Sequence, residues 1–376
     1  IGAVVSHFSR LPLLKSLQTS LKDLGFIRPT DIQTEAIPAL LEGRSLIGVA
    51  ETGSGKTFAF ALPMLHQLKT LENEGSAVTE KGRPRGVVLV PGRELGEQVS
   101  VVFKSLTHGT RLRVRTVLGG TKKQKARQNV NGCFEILVAT PGRLVQLLED
   151  GSLKLTDVRI LVFDEADQLT DAGFLQTAQR IVATCNKNTQ IALFSATLPG
   201  SLDHAARTLF RSKPVQIRTK GSQKVVPTLI TVNRDVHYGD RHTTLMETLA
   251  EAPKVSTILF ANTHEQCEKL SQWLSDEAIA HVSYRGEMDR TERRKNLMRF
   301  RKGEVTVLLT TDLGGRGLDI EQVERVVNVH LPKQLDNYLH RVGRTARAGR
   351  KGLVVNLVTQ RDQPLLDQIA ALDPNN

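Results

Sequence analysis

Two short runs carry groups suited to phosphate chemistry: Ala50-Glu51-Thr52-Gly53-Ser54-Gly55-Lys56-Thr57 and Asp164-Glu165-Ala166-Asp167. In the first, Gly53 and Gly55 permit loop dihedrals closed to residues with a Cβ, so backbone N–H groups can converge on an anion at the start of a helix. Lys56 reaches β/γ-phosphate oxygens and Thr57 offers a hydroxyl to Mg²⁺. Ala50 stands where the general pattern has its first glycine, so this run alone is also compatible with an ordinary glycine turn. The second run supplies what a turn does not need. Asp164 suits a hydrated Mg²⁺, partly through water, and Glu165 suits orienting or deprotonating an attacking water. Together the two runs imply hydrolysis of a nucleoside triphosphate.

The flanking residues predict how these groups are positioned. Leu46–Val49 is an apolar strand, and Phe58–Leu68 is compatible with the helix that follows the loop. Ile160–Phe163 reads as a buried parallel strand that delivers Asp164 and Glu165 at its carboxyl end, where open α/β sheets bind ligands. Val87–Val90, Glu135–Val138 and Ile191–Phe194 repeat the pattern, each ending in a small or polar cluster and separated from the next by helix-compatible sequence. It then recurs in Thr257–Phe260, Val305–Leu309, Val326–Val329 and Leu353–Val358. This alternation predicts two doubly wound α/β domains with parallel sheets. The stretch from Arg211 to Asp240, with Pro214, Gly221, Pro227 and Gly239, reads as the connection, flexible near Lys220–Lys224, giving domains at 1–219 and 220–376. Glu72–Arg85 reads as an exposed loop.

Composition narrows the function classes. The 376 residues, 40% hydrophobic, suffice for packed cores, and no run approaches the roughly 18 apolar residues of a membrane span. A soluble monomer is expected, without membrane association and by default in the cytoplasm; nucleus and organelles stay open. Cys133, Cys185 and Cys267 are widely separated, which fits buried thiols better than a disulfide framework or zinc site. A formal charge of +12 favours a polyanionic partner, and only 4% aromatic residues argue against extensive base stacking.

With further motifs added, the chain resembles the DEAD-box RNA helicases from Phe8 to Gly349. The resemblance rests on Gly25-Phe26 with Pro29-Thr30 and Gln33, the phosphate loop, Pro91-Gly92-Arg93-Glu94-Leu95, Gly119-Gly120, Thr140-Pro141-Gly142-Arg143, Asp164–Asp167 and Ser195-Ala196-Thr197. In the second half it rests on Phe260–Thr263, Arg290–Arg293, Thr310–Asp312, Arg316–Asp319 and His340–Arg347. It implies two tandem RecA-like domains joined by a flexible linker, with ATP and Mg²⁺ as cofactors and RNA as partner. Gln33 would read adenine, whose N6 donor and N7 acceptor match a carboxamide. Phe8, 17 residues before Gly25, would stack on the base, and Arg28 would line the pocket. Asp319 would touch ribose, His340 would help link motifs across the cleft, and Arg344 and Arg347 would act as arginine fingers. Pro91, Arg93, Gly119, Gly120, Thr140 and Arg143 in the first domain, with Thr263, Arg293 and Thr310 following strands of the second, would hold a single RNA strand by its backbone. Asp167, Ser195 and Thr197 would couple ATP to strand separation.

The resemblance implies RNA-stimulated ATP hydrolysis coupled to domain closure and local unwinding. An ATP-gated RNA clamp without productive unwinding and a DNA-dependent ATPase are the rival readings. Five positions depart from the commonest family residues: Gly92 for Thr, Gly96 for Ala, Arg290 for Gln, His330 for Asp and Ala346 for Gly. Gly92 removes a hydroxyl that could bond RNA, whereas Arg290 could add a phosphate contact.

Overall fold

In the computed structural model the chain divides into two compact units, Ile1–Ser222 and Gln223–Asn376. The structure describes residues 7–51, 53–167, 172–197, 207–219, 229–236, 240–286, 288–312, 323–345 and 352–371.

The first unit carries a seven-stranded parallel sheet, ordered β3-β4-β2-β5-β6-β1-β7. Its strands are β1 Leu46–Val49, β2 Gly86–Leu89, β3 Val114–Val117, β4 Ile136–Ala139, β5 Ile160–Phe163, β6 Gln190–Ser195 and β7 Val215–Arg218. Successive side chains alternate between the faces, so each central strand feeds two cores. Leu46, Val88, Val138 and Val162 join one apolar cluster; Ile47, Val87, Leu137 and Leu161 join the other. Helices α1 Lys15–Asp23, α2 Asp31–Leu41, α3 Lys56–Asn73 and α4 Arg93–Thr107 pack on the first face, and α5 Lys123–Val130, α6 Pro141–Glu149 and α7 Ala172–Thr184 on the second. Each fully buried Val, Leu or Ile contributes about 1.5–3 kcal/mol, which holds the strand ends, and hence the loops, at one edge.

The second unit repeats the plan with six parallel strands, ordered β10-β11-β9-β12-β13-β8. These are β8 Leu229–Asp235, β9 Thr257–Ala261, β10 His281–Tyr284, β11 Val307–Thr311, β12 Arg325–Asn328 and β13 Gly352–Val358. Helices α8 Arg241–Ala250, α9 His264–Asp276, α10 Arg290–Arg301, α11 Leu335–Val342 and α12 Gln363–Ala370 accompany them. Again the strand residues alternate, Ile258 and Phe260 into one cluster, Leu259 and Ala261 into the other.

Two expectations need correction. The stretch from Arg211 to Asp240 is not wholly a connection, because it contains β7 and β8; residues 220–228 lie outside the described residues. Strands β3 and β10, half-exposed at sheet edges, also lack the apolar runs that marked the central strands. Among the described residues no helix is long and apolar enough to cross a membrane.

Candidate nucleotide and nucleic-acid sites

The phosphate loop leaves β1 beside the end of β6. Val49 is in register with Ser195, and the Ala50 N–H donates to the Ser195 carbonyl at 3.0 Å. Gly53 and Gly55 have φ values of 83° and 87°. A Cβ at Gly55 would also lie 2.3 Å from Gln33 Nε2, so glycine is required there both for conformation and for space. The Ser54 hydroxyl donates to the Glu51 carbonyl at 2.6 Å, and Lys56 Nζ donates to the carbonyls of Ala50 (2.6 Å) and Glu51 (2.8 Å). No side chain caps the start of α3, where Lys56 and Thr57 lie, so its first N–H groups are directed at the loop. Thr52 lies outside the described residues.

Asp164 follows β5, and its N–H donates to the Leu89 carbonyl at 2.9 Å, which fixes the acid at the edge between β2 and β5. Asp164 is 4% exposed, and its carboxyl accepts from the Glu165 N–H at 3.0 Å. Glu165 adopts a left-handed φ of 50°, a strained conformation for a residue with a Cβ. Burial, reinforced by the Glu165 charge, pushes the Asp164 carboxyl up to about 7 against the pull of Lys56. Burial pushes the Lys56 ammonium down, while Asp164, Glu165, Asp167 and Glu51 draw it back up. Burial also raises the Glu51 carboxyl, and Lys56 opposes that rise. The lysine and these acids therefore form one charge cluster at the loop.

Mg²⁺ fits this donor set. The available groups are hard oxygens, the Asp164 carboxylate and the Thr57 hydroxyl, and among the described residues no group of three or more His, Cys, Asp or Glu forms a complete protein cage. A cation that keeps its waters and shares phosphate oxygens needs only one or two such ligands.

Gln33 is buried on α2. Its Oε1 accepts from the Thr30 N–H and its Nε2 donates to the Gly55 carbonyl, both at 3.0 Å. Each end of the carboxamide keeps one further hydrogen-bonding valency, enough for a base without breaking the tie to the loop. Phe8 begins a short 3₁₀ turn, Phe8–Arg10, and is only 4% exposed within the first core. A stacked base could meet its ring only if this turn shifts. Arg28 is exposed. Phe26, 43% exposed, sets its ring 4.7 Å from that of Phe58 in the first turn of α3. This aromatic pair beside the loop went unassigned in the sequence, although Gly25-Phe26 was its signal.

Ser195 ends β6 and Thr197 follows it. Ser195 Oγ and Thr197 Oγ1 are buried and have no hydrogen-bond partner among the described residues. An unsatisfied buried hydroxyl costs about 1–3 kcal/mol. Asp167 belongs to the charge environment of Lys56.

A second cluster occupies the ends of β2, β3 and β4. Gly92, at the cap position of α4, has no side chain with which to cap it, and α6 begins with Thr140 as its cap residue and Pro141 in its first turn. The Thr140 side chain is buried and makes no capping hydrogen bond. Between these two helix starts runs the Gly119–Thr121 turn, with Gly120 at φ 74°. Arg93 Nη1 donates to the Gly119 carbonyl (2.9 Å) and Thr121 Oγ1 (3.2 Å), and Arg143 Nη2 donates to the Thr121 carbonyl (2.6 Å). Half-buried Pro91 enters the same edge. Thus Pro91, Arg93, Gly119, Gly120, Thr140 and Arg143 come together, with Thr121, unassigned from sequence, as the shared acceptor. A Cβ at Gly96 would lie 2.4 Å from Leu118 Cδ2, so this departure makes room for the leucine behind the turn.

In the second unit, Thr263 caps α9, its hydroxyl accepting from the Gln266 N–H at 3.2 Å. Arg293 Nη1 donates to the Gly286 carbonyl at 3.2 Å, with its guanidinium 5.6 Å from the Tyr284 ring centroid. Thr310 departs from expectation: it lies inside β11 rather than after it, fully buried, and its hydroxyl donates to the Tyr284 carbonyl at 2.7 Å. Its side chain holds β10 to β11 and is not presented at the surface. His340 lies on α11, and Arg344 follows that helix, its Nε donating to the His340 carbonyl at 3.3 Å. Asp319 and Arg347 lie outside the described residues.

Arg341, in the same basic run, went unassigned in the sequence. It is 1% exposed and donates to both Asp312 carboxylate oxygens (2.5 and 2.8 Å), Asn328 Oδ1 (3.1 Å), the His330 carbonyl (2.6 Å) and Asn262 Oδ1 (2.7 Å). One side chain therefore ties α11 to the ends of β9, β11 and β12. Burial, then the charges of Arg241 and Arg341, push the His330 imidazole down to about 4, so it is neutral at pH 7.

Comparison with known proteins adds independent findings. Residues 30–205 match the family described as DEAD/DEAH box helicase, and residues 240–349 match the helicase conserved C-terminal domain. The chain is 38% identical over 371 residues to the ATP-dependent RNA helicase SrmB of Haemophilus influenzae, covering 97% of this chain and 82% of that protein. It is 36% identical to the DEAD-box ATP-dependent RNA helicase RhpA of Helicobacter pylori, covering 94% and 69%. Its fold is similar to that of S. cerevisiae Dbp5 bound to RNA and ADP BeF3, with a TM-score of 0.86, 27% identity and coverage of 99% and 94%. A structure of Mss116p bound to ssRNA and AMP-PNP gives a TM-score of 0.83, 26% identity and coverage of 96% and 75%.

Proposed function

The chain belongs to the DEAD-box family and is an ATP-hydrolysing RNA helicase, and from that premise we propose that RNA gates its ATP hydrolysis by drawing the two units together. The observation that carries this reading is the contiguity of the phosphate loop, the Asp164–Glu165 pair and the end of β6, where Ala50 is bonded to Ser195. A change at the phosphates can reach the buried hydroxyls of Ser195 and Thr197 without crossing the domain.

In this reading Lys56 exchanges the carbonyls of Ala50 and Glu51 for phosphate oxygens, and the N–H groups that begin α3 share that load. Asp164, partly through water, and Thr57 would hold Mg²⁺, which would supply neutralisation of the phosphate charge. Glu165 orients a water for attack on the γ-phosphorus and accepts its proton as the bond from that phosphorus to the β,γ-bridging oxygen breaks, releasing ADP. Gln33 selects the base, and Phe8 stacks on it once the 3₁₀ turn at Phe8–Arg10 shifts. Arg344, with Arg347, brings compensating charge from the second unit, so turnover is low until the units close. Pro91, Arg93, Gly119, Gly120, Thr140 and Arg143, with Thr263, Arg293 and the backbone at Thr310, grip one strand by phosphate and ribose, and closure bends it so that a few adjoining base pairs melt. Because each ligand's contacts are divided between the units, ATP and RNA bind with mutual favour.

The test is steady-state ATP hydrolysis by the chain alone, with single-stranded RNA, and with DNA of the same sequence, alongside Lys56→Ala and Arg344→Ala. Stimulation by RNA alone, lost in both variants, is expected. Equal stimulation by DNA, or turnover independent of RNA, rejects the gating proposed here. Strand displacement on a short duplex then separates unwinding from clamping.

A further inference from the structure

The two helices that flank edge strand β10 from opposite faces differ sharply in charge. Helix α9 carries Glu265, Glu268 and Asp276 against one lysine, and that lysine, Lys269, is paired with Glu265 at 2.7 Å. Helix α10 carries Arg290, Arg293, Arg294, Lys295, Arg299 and Arg301 against a single acid, Glu292. Solubility alone does not require such a division within one unit. Leu297 and Phe300 turn one side of α10 to the core. The other side leaves Arg294, Lys295, Met298, Arg301 and Lys302 exposed as a stripe.

Three features distinguish this stripe from an ordinary solvated face. Arg294 and Lys295 enter no ion pair among the described residues, and Lys302 has only Glu304 at 3.9 Å. Met298 is 44% exposed amid the cations, giving the stripe a flexible, polarizable apolar centre. Arg293, in the first turn of the same helix, is bonded to Gly286 at the end of β10, where the proposed function places the bound strand. From Arg294 to Lys302 the helix advances about 12 Å.

We infer that the exposed stripe of α10 is an additional site for the phosphate backbone of single-stranded RNA, taking the part of the strand that continues past the core-bound segment. This rests on the reading above. Guanidinium forks favour phosphate oxygens, and continuity with Arg293 favours the same strand over a separate acidic protein. No aromatic ring stands on the stripe, so contact is with backbone and without base preference.

The experiment measures binding of two single-stranded RNAs with a nonhydrolysable ATP analogue, one just long enough for the core site and one extended at both ends. A third RNA carries the extension as duplex. Wild type is compared with Arg294→Gln/Lys295→Gln and Arg294→Glu/Lys295→Glu, with thermal unfolding to verify the fold. Charge reversal is expected to weaken the extended strand about tenfold at moderate salt, and neutralisation to lower the salt slope by about 0.7 per lost contact. The short RNA and its stimulation of ATP hydrolysis should not change. Equal binding of the extended strand by all proteins, or equal loss on the short RNA, overturns the inference; loss confined to the duplex extension overturns it in favour of a duplex surface. Should wild type bind neither single strand, the RNA reading itself fails and the stripe with it, whereas failure of the stripe alone leaves short-RNA binding intact.

Discussion

The nucleotide edge of the first unit and the arginine hub of the second solve opposite problems with buried polar groups. Around the phosphate loop, hydroxyls at Ser195 and Thr197 lack partners among the described residues, Asp164 is pushed up to about 7, Glu165 is held at a strained φ, and Lys56 leans on two backbone carbonyls. Around Arg341, five donated hydrogen bonds satisfy the guanidinium, and the Phe260 ring covers it at 5.1 Å. The difference teaches where stability is given up. A site that must exchange partners during a reaction keeps its polar groups incompletely satisfied, whereas the hub on the helix that carries His340 and precedes Arg344 satisfies its guanidinium in full.

The comparison breaks most readily at Lys56 and Asp164. Lys56→Ala and Asp164→Asn should each lower RNA-stimulated ATP hydrolysis by about 10³-fold or more, as expected for loss of a group facing developing phosphate charge. At pH 8, Asp164→Asn should nevertheless raise the melting temperature of the ligand-free protein by at least about 2–4 °C, because it removes a buried charge. A loss of both activity and stability would place Asp164 with the scaffold.

Arg341→Met should act in the opposite direction, destabilising the second unit by about 3–5 kcal/mol in denaturant unfolding, since it strands the Asp312 carboxylate and the acceptors of Asn262 and Asn328. Adding Asp312→Asn should recover part of that loss. A neutral Arg341→Met would show that the hub carries no such load.

The pH dependence sharpens the contrast. A carboxyl raised in the folded protein binds more protons than in the unfolded chain, so its stabilising contribution is complete below about pH 4 and is lost as pH rises through about 7. As the proposed Mg²⁺ ligand Asp164 would have to be ionised, so ATP–Mg²⁺ binding should strengthen over the last part of that window and release protons near pH 7. Calorimetry in two buffers of different ionisation enthalpy measures that release; Asp164→Asn should abolish it.

The smallest expected effect belongs to Ser195→Ala, which deletes an unsatisfied hydroxyl in a fully buried strand end. It should leave stability unchanged or raise it by about 1 kcal/mol in denaturant unfolding while reducing duplex displacement more than ATP hydrolysis. Equal reduction of both activities would remove the coupling role.

Much of this was legible in the residue order. The phosphate loop, the acids after Ile160–Phe163 and the small residues after each central strand are local signals, because a strand buried on both faces must be apolar along its length and its carboxyl end must turn. The four strands without an uninterrupted apolar signal, β3, β7, β8 and β10, are the four edges of the two sheets. Their half-exposed patterns mix Arg115, Arg218, Arg234 and His281 with apolar residues, so neither period nor composition separates them from a connection.

Side-chain roles that depend on residues far apart in the chain were decided by tertiary structure alone. Sequence places Arg341 only within the basic run His340–Arg347; the convergence of Asn262, Asp312, Asn328 and His330 is what gives its guanidinium five hydrogen bonds. Likewise Gln33 is tied to Gly55, and Arg93 meets Arg143 on one turn, because parallel strands bring separate loops to a common edge. The sequence by itself determined the chemistry available and the central strands that deliver it, since those follow from local residue type and periodicity. Which polar groups are satisfied, strained or left exposed was set by packing across strands, where partners are chosen by space and not by spacing in the chain.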